Sequence, residues 1–188
     1  MDINEYKQYW SREGERLYVY SPASVDETKV NKETFTFLTR YGLPADAAPF
    51  LSFSEMQEDK LLSPDLVFNI DFDGLDNYLM FGSNSCGDPI CIDTRAQGQI
   101  VYLNHDNYFE RIYINNSIFQ FAECLITYRD FITTLIEPAT DNLSRRKFSD
   151  DEFDRLTERF SQTDNSCMTE NFFWPAELAG LLWERDNE

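Results

Sequence analysis

Six short β-prone runs, separated by turn residues, lie between residues 50 and 115 and constrain the fold more than any other feature of the sequence. The runs cover residues 50–53, 66–70, 78–81, 89–92, 100–103 and 111–114. Connections such as 83–88 and 94–99 are too short for the crossover that parallel neighbours need. We therefore expect an antiparallel meander, in which residues 69–74 form an acidic turn between two strands.

Helical patterns precede the β-prone region. Residues 3–10 carry apolar side chains at helical spacing. Residues 31–41 are bounded by Asn31 as the N-cap and by Gly42 as a left-handed residue at the C-terminal end. The inward stripe of this second helix is expected to consist of Phe35, Leu38 and Tyr41.

Two capping boxes predict further helices in the second half of the chain. Ser117 with Gln120 opens a long apolar helix, and Ser149 with Glu152 opens a shorter one. Pro175 fits the first turn of a helix near the end of the sequence.

Together these patterns predict an α+β protein with an antiparallel-rich mixed sheet of about six strands flanked by helices. The length suits one domain spanning residues 1–188. Residues 149–186 are expected to add a C-terminal helical segment to it.

The net charge of −18 is concentrated in two segments of the chain. Residues 46–93 hold ten acidic side chains and one basic one, and residues 149–188 hold eleven acidic and three basic ones. Such a protein is repelled by nucleic acid and by anionic membranes, and it is steered towards a basic partner. Acidic surfaces also keep proteins soluble, so the charge alone leaves both interpretations open.

No stretch of the sequence has the apolar length of a signal peptide or of a membrane span, so we expect a cytoplasmic protein. Thiols stay reduced in that compartment. The four cysteines are therefore expected to be free thiols, with Cys86 and Cys91 in the core.

Motifs for catalysis, metal binding and phosphate binding are incomplete. His105 is the single histidine and has no nucleophile motif beside it. Residues 69–74 match the first half of a calcium loop, but Met80 stands where the bidentate glutamate belongs. The glycine pair at 82–87 has P-loop spacing, but Asp88 replaces the lysine. We therefore expect no catalytic residue, no metal site and no cofactor.

An ordered series of segments resembles a known family. The segments are FLTRYGLP at 37–44, YLMFG at 78–82, GDPICID at 87–93, GQIVYLNHD at 98–106 and INNSIFQF at 114–121. In this order and spacing they resemble the SUKH superfamily, especially its fourth subfamily of bacterial immunity proteins. The resemblance covers about residues 30–136 and leaves the first helix and the last fifty residues outside.

This resemblance implies a SUKH-like fold and a non-enzymatic immunity protein that binds and neutralises a polymorphic toxin, often a nuclease. The implied partner is a basic toxin domain encoded nearby, and neither nucleic acid nor a membrane is expected as a partner. The superfamily also includes regulatory proteins linked to cell-wall synthesis, so a regulatory protein-binding adaptor is the alternative. An enzyme is a third interpretation, which the incomplete motifs disfavour.

The acidic turns on the sheet side are the expected recognition surface, because exposed carboxylates can meet the Lys and Arg side chains of a partner. The predicted partner-binding residues are Glu58, Asp59, Asp71, Asp73, Asp76 and Asp88. The acidic segment 149–188 is the rival location, and a solvated loop without a partner is the plain alternative.

Overall fold

Eight strands and six α-helices follow one another in the described part of the chain, which comprises residues 2–12, 14–53, 60–136 and 148–187 of a computed structural model. The helices are α1 (Ile3–Arg12), α2 (Lys32–Thr36), α3 (Pro64–Phe68), α4 (Ile118–Ile136), α5 (Asp150–Thr163) and α6 (Phe173–Asn187). The strands are β1 (Leu17–Tyr18), β2 (Leu43–Pro44), β3 (Asp46–Ala47), β4 (Leu51–Ser52), β5 (Tyr78–Ser83), β6 (Pro89–Asp93), β7 (Gln99–Asn104) and β8 (Glu110–Asn115).

Strands β3 to β8 form one six-stranded sheet in sequence order, and every pairing in it is antiparallel. Strands β1 and β2 pair separately as a short antiparallel ribbon. Helices flank the sheet, and α5 and α6 form the C-terminal helical segment. The predicted α+β class with a sheet of six strands is confirmed.

The strand predicted at 66–70 is wrong, because this segment forms most of helix α3 and the turn that ends it. Leu, Phe and Ile recur there at every second position, as they would in a strand. Pro64, however, fixes a helical φ in the first turn, and the N–H of Val67 donates to the carbonyl of Ser63. Asn69 then adopts a left-handed conformation and ends the helix. Strand β3 supplies the sixth strand instead.

Both faces of the sheet are covered, which explains the continuous apolar runs of its central strands. All five residues of β6 are buried. Ile90 and Ile92 join the main core together with residues of α4, whereas Cys91 belongs to a smaller cluster on the other face. The smaller cluster consists of Leu75, Met80, Cys91, Val101 and Leu103. Helix α3 packs against it through Val67 and therefore lies on the face opposite to α4.

The helix capped by Asn31 begins as predicted and ends in a wider turn. The Asn31 side chain accepts a 2.8 Å hydrogen bond from the backbone N–H of Thr34. After α2 the chain continues as a π-helical turn, Phe37–Tyr41, which closes with a bond from the N–H of Gly42 to the carbonyl of residue 37. Gly42 has the positive φ (83°) expected of the predicted glycine, but its ψ of 179° lies outside the left-handed helical region.

The side chains of this helix that face the core differ in part from the predicted stripe. Phe37 and Leu38 are both fully buried, whereas Phe35 and Tyr41 are only partly buried. The predicted stripe is therefore correct for Leu38 and missed Phe37, which shares the buried face with Thr34 at ordinary helical spacing.

Of the two predicted capping boxes, one is complete. Ser149 and Glu152 bond to each other in both directions. Ser117 accepts a 3.3 Å bond from the N–H of Gln120, but the Gln120 side chain donates to the carbonyl of Thr163 at 2.9 Å instead of returning to the cap. That second bond ties α4 to the end of α5.

Candidate protein-binding surface

The segment between α3 and β5 carries exposed carboxylates. The predicted binding residues within it are Asp71, Asp73 and Asp76. Left-handed backbone at Asn69 (φ 52°) and Gly74 (φ 89°) sets its course, and a 3₁₀ turn follows at Leu75–Asn77. The turn therefore connects a helix to a strand, rather than two strands as the sequence pattern predicted.

Contacts at the end of this segment fix it to the sheet. Leu75 is buried in the smaller apolar cluster, and the carbonyl of Asn77 accepts bonds from the backbone N–H (3.0 Å) and the hydroxyl (2.7 Å) of Thr94. Within the described residues, Asp71 and Asp73 make no hydrogen bond or ion pair with another side chain. Their carboxylates are therefore available to a partner.

Asp88 has different surroundings from those of the exposed acids, because only 6% of it is exposed. One of its carboxylate oxygens lies 2.9 Å from the backbone N–H and 2.7 Å from Nδ1 of His105, and the other accepts a 2.9 Å bond from Nδ2 of Asn84. Asp88 thus ties the β5–β6 turn to the end of β7, and the single histidine takes part in that structural contact. Glu58 and Asp59 lie outside the described residues.

Large apolar side chains are exposed on this segment, on α3 before it and in the β7–β8 turn, and the sequence patterns did not place them at the surface. The set consists of Leu66, Phe68, Ile70, Phe72 and Tyr108. The rings of Phe72 and Phe109 contact each other at a centroid distance of 5.0 Å. This contact brings the β7–β8 turn beside the segment between α3 and β5. The sequence carried a signal against the predicted strand in Pro64, because proline suits the first turn of a helix.

Several acids of the rival segment 149–188 have partners within the chain. Asp150 forms a 2.7 Å ion pair with Arg185. The backbone and hydroxyl of Ser149 bond to Glu152 and lower the pKa of that carboxyl. The rival segment therefore uses part of its negative charge to hold its own helices together.

A family model described as SUKH-4 immunity protein matches residues 9–180. This chain belongs to the SUKH-4 immunity protein family. The match extends on both sides of the 30–136 stretch in which the sequence motifs lie, and it includes α5 and half of α6. Comparison with curated proteins and with solved structures gives no significant match.

The cysteines of this SUKH-4 chain are free thiols, as predicted. Cys91 is buried and Cys86 is exposed, so the expectation of a core position is correct for the first and wrong for the second. Burial raises the pKa of the Cys91 and Cys124 thiols, which stay protonated at neutral pH. None of the helices that the structure describes is both long and apolar enough to cross a membrane.

Proposed function

We propose that this SUKH-4 chain is a non-enzymatic immunity protein that binds a polymorphic toxin domain in the cytoplasm and neutralises it. The family match over residues 9–180 carries the proposal. The partner we propose is a basic toxin domain encoded nearby, since the chain itself has a net charge of −18.

Neutralisation would depend on placing carboxylates where the toxin holds its substrate. A toxin that acts on nucleic acid has a basic cleft, and acids across that cleft would exclude the phosphates of the substrate. Asp71, Asp73 and Asp76 are suited to this because they are exposed in the free protein, so the unbound state buries no unpaired charge at these positions. Long-range attraction would speed association, and contacts buried at the interface would slow dissociation.

Co-expression with the toxin domain encoded beside the gene tests the proposal. We expect the chain to restore growth of cells that produce the active domain, and to co-purify with a catalytically inactivated form of it. The inactivated form separates binding from toxicity. No binding at low salt and no restored growth would contradict the proposal, and recovery of several endogenous proteins without restored growth would favour a regulatory adaptor.

A further inference from the structure

We infer that exposed apolar side chains form the centre of the toxin-docking surface, and that the toxin face they meet has an apolar depression bordered by Lys and Arg. These side chains are Leu66, Phe68, Ile70, Phe72 and Tyr108. The inference rests on the proposed function, because it takes the partner to be a toxin domain.

This set is the main concentration of exposed large apolar groups in the part of the chain that the structure describes. Eight such side chains are exposed there, and five of them belong to the set. The other three, Val19, Phe50 and Trp183, are far from one another along the chain. Single apolar residues are common on protein surfaces, whereas a group of them marks an interaction site.

The apolar set is held in place by the sheet beneath it. Helix α3 packs against the smaller cluster through Val67, and Leu75 belongs to that cluster. The ring of Phe72 contacts Phe109 edge-on at 5.0 Å, which links the segment to the residue following Tyr108. A surface that is fixed before binding loses less conformational entropy when a partner docks.

The charges around the set decide which partner fits it. Residues 61–94 contain neither Lys nor Arg, and of their six acidic side chains Asp71, Asp73 and Asp76 are exposed. Asp88 and Asp93 are buried and pair with His105 and Arg111. A second copy of the chain would bring like charges together, and an anionic membrane or nucleic acid would be repelled. A protein face with Lys and Arg around an apolar depression complements both features, as a central anchor and a polar rim do in specific interfaces.

The test measures binding of the catalytically inactivated toxin domain to Leu66→Gln, Tyr108→Asn and the double variant. Leu66 is 63% exposed and Tyr108 is 84% exposed. Glutamine suits a helix, and asparagine suits the left-handed backbone of Tyr108 (φ 52°), so the variants should keep the fold. Trp183→Gln is the matched control, because Trp183 is 67% exposed on α6. We expect the affinity of the double variant to fall about 30-fold, mainly through faster dissociation, and the control to bind as the wild type does.

Four outcomes would overturn the inference. Wild-type affinity in a folded double variant would do so while leaving the proposed function intact. If Trp183→Gln lost as much affinity for the toxin domain as the double variant, the apolar set would not be the centre of the docking surface, and α6 would belong to that surface. Self-association that the double variant abolishes in sedimentation experiments would assign the face to a second copy. If the wild-type chain itself does not bind the toxin domain, the proposed function fails and the inference fails with it.

Discussion

The hydroxyl of Tyr113 donates a 2.8 Å hydrogen bond to the carboxylate of Asp164, which joins β8 to the turn after α5. The same carboxylate oxygen accepts bonds from Nδ2 of Asn115 (3.1 Å) and the backbone N–H of Asn116 (2.9 Å). Its other oxygen accepts a 3.0 Å bond from the N–H of Ser166. Four donors thus converge on one carboxylate that is only 3% exposed, and the C-terminal segment is bonded to the sheet there.

Asp164→Ala is therefore expected to lower the free energy of unfolding by about 3 kcal/mol, because it leaves several buried donors without an acceptor. Tyr113→Phe is the matched control and should cost about 1 kcal/mol, since it removes one donor and leaves the carboxylate with three. Urea denaturation of both variants measures the difference. If Asp164→Ala costs no more than the control, the carboxylate does not hold the segment to the sheet.

Gly42 is expected to tolerate a side chain much less well than Gly87 does. Its φ is 83°, and a Cβ placed on it would lie 2.5 Å from the carbonyl oxygen of Tyr18. Gly87 has a similar φ of 85°, but a Cβ added there would meet no atom within 4 Å. Gly87→Ala should therefore cost only the backbone strain, about 1 kcal/mol, while Gly42→Ala should cost about 2 kcal/mol more.

Thermal melting of the two alanine variants measures this difference, because both glycines have a φ near 85° and only Gly42 would carry the clash. Equal melting temperatures would mean that β1 moves away from Gly42 without cost. A variant that melts normally but loses the toxin partner would assign Gly42 to recognition instead of to the scaffold.

The strands of the meander could be predicted because local patterns specify them. The runs at 89–92 and 100–103 are apolar and bounded by turn residues, and their tight connections allow only antiparallel neighbours. Strands β2 and β3 could not be predicted, since each has two residues and, unlike β4, neither lies in a β-prone run. The prediction for 66–70 failed because alternating apolar residues are typical of a strand, whereas Pro64 starts a short helix there and Ile70 lies beyond its end.

The candidate site could be predicted only in part, for a similar reason. Exposure of Asp71 and Asp73 follows from the turn-forming Asn69 and Gly74 on either side of them. The burial of Asp88 depends on His105, which is seventeen residues away and on another strand end, so no local pattern indicates it. The apolar side chains beside the acids were assigned to a strand core because they alternate along the chain as strand residues do.

Removing the exposed negative charges of the segment between α3 and β5 is expected to slow association with the toxin domain. The variant replaces Asp71, Asp73 and Asp76 with Asn, and the matched control replaces Asp150, Asp151 and Asp154 with Asn. The first variant should associate about tenfold more slowly at low salt, with a weaker dependence on salt, because the partner loses long-range attraction near its docking site. Stopped-flow measurements over a range of ionic strength test this, with thermal melting as the check on folding.

Both triple variants remove the same charge from the chain, so a difference between them reports the position of the site rather than the net charge. If the control slows association and the first variant does not, the recognition surface lies on α5. Equal slowing by both would mean that only the overall charge of the protein steers the partner.

Glu177 is expected to make the protein less stable as the pH rises towards neutrality. Partial burial of this side chain on α6 raises its pKa to about 7, from an ordinary value of 4.5. Between these two values the folded chain holds a proton that the unfolded chain has released, so stability falls as the pH rises through that window. Glu177→Gln removes this half-buried charge and should raise the melting temperature at pH 8, while leaving it nearly unchanged at pH 4.5.

Melting curves of the wild type and of Glu177→Gln between pH 4.5 and pH 8 measure this effect. The difference between the two melting temperatures at each pH is free of the contributions of the other acids, because both proteins contain them. Glu170→Gln is the matched control, because Glu170 is an exposed glutamate in the same C-terminal segment. A difference that grows with pH for Glu177→Gln alone supports a buried carboxyl that α6 holds in its neutral form. A difference that stays constant with pH would mean that water reaches this carboxyl and that α6 packs less closely against the sheet.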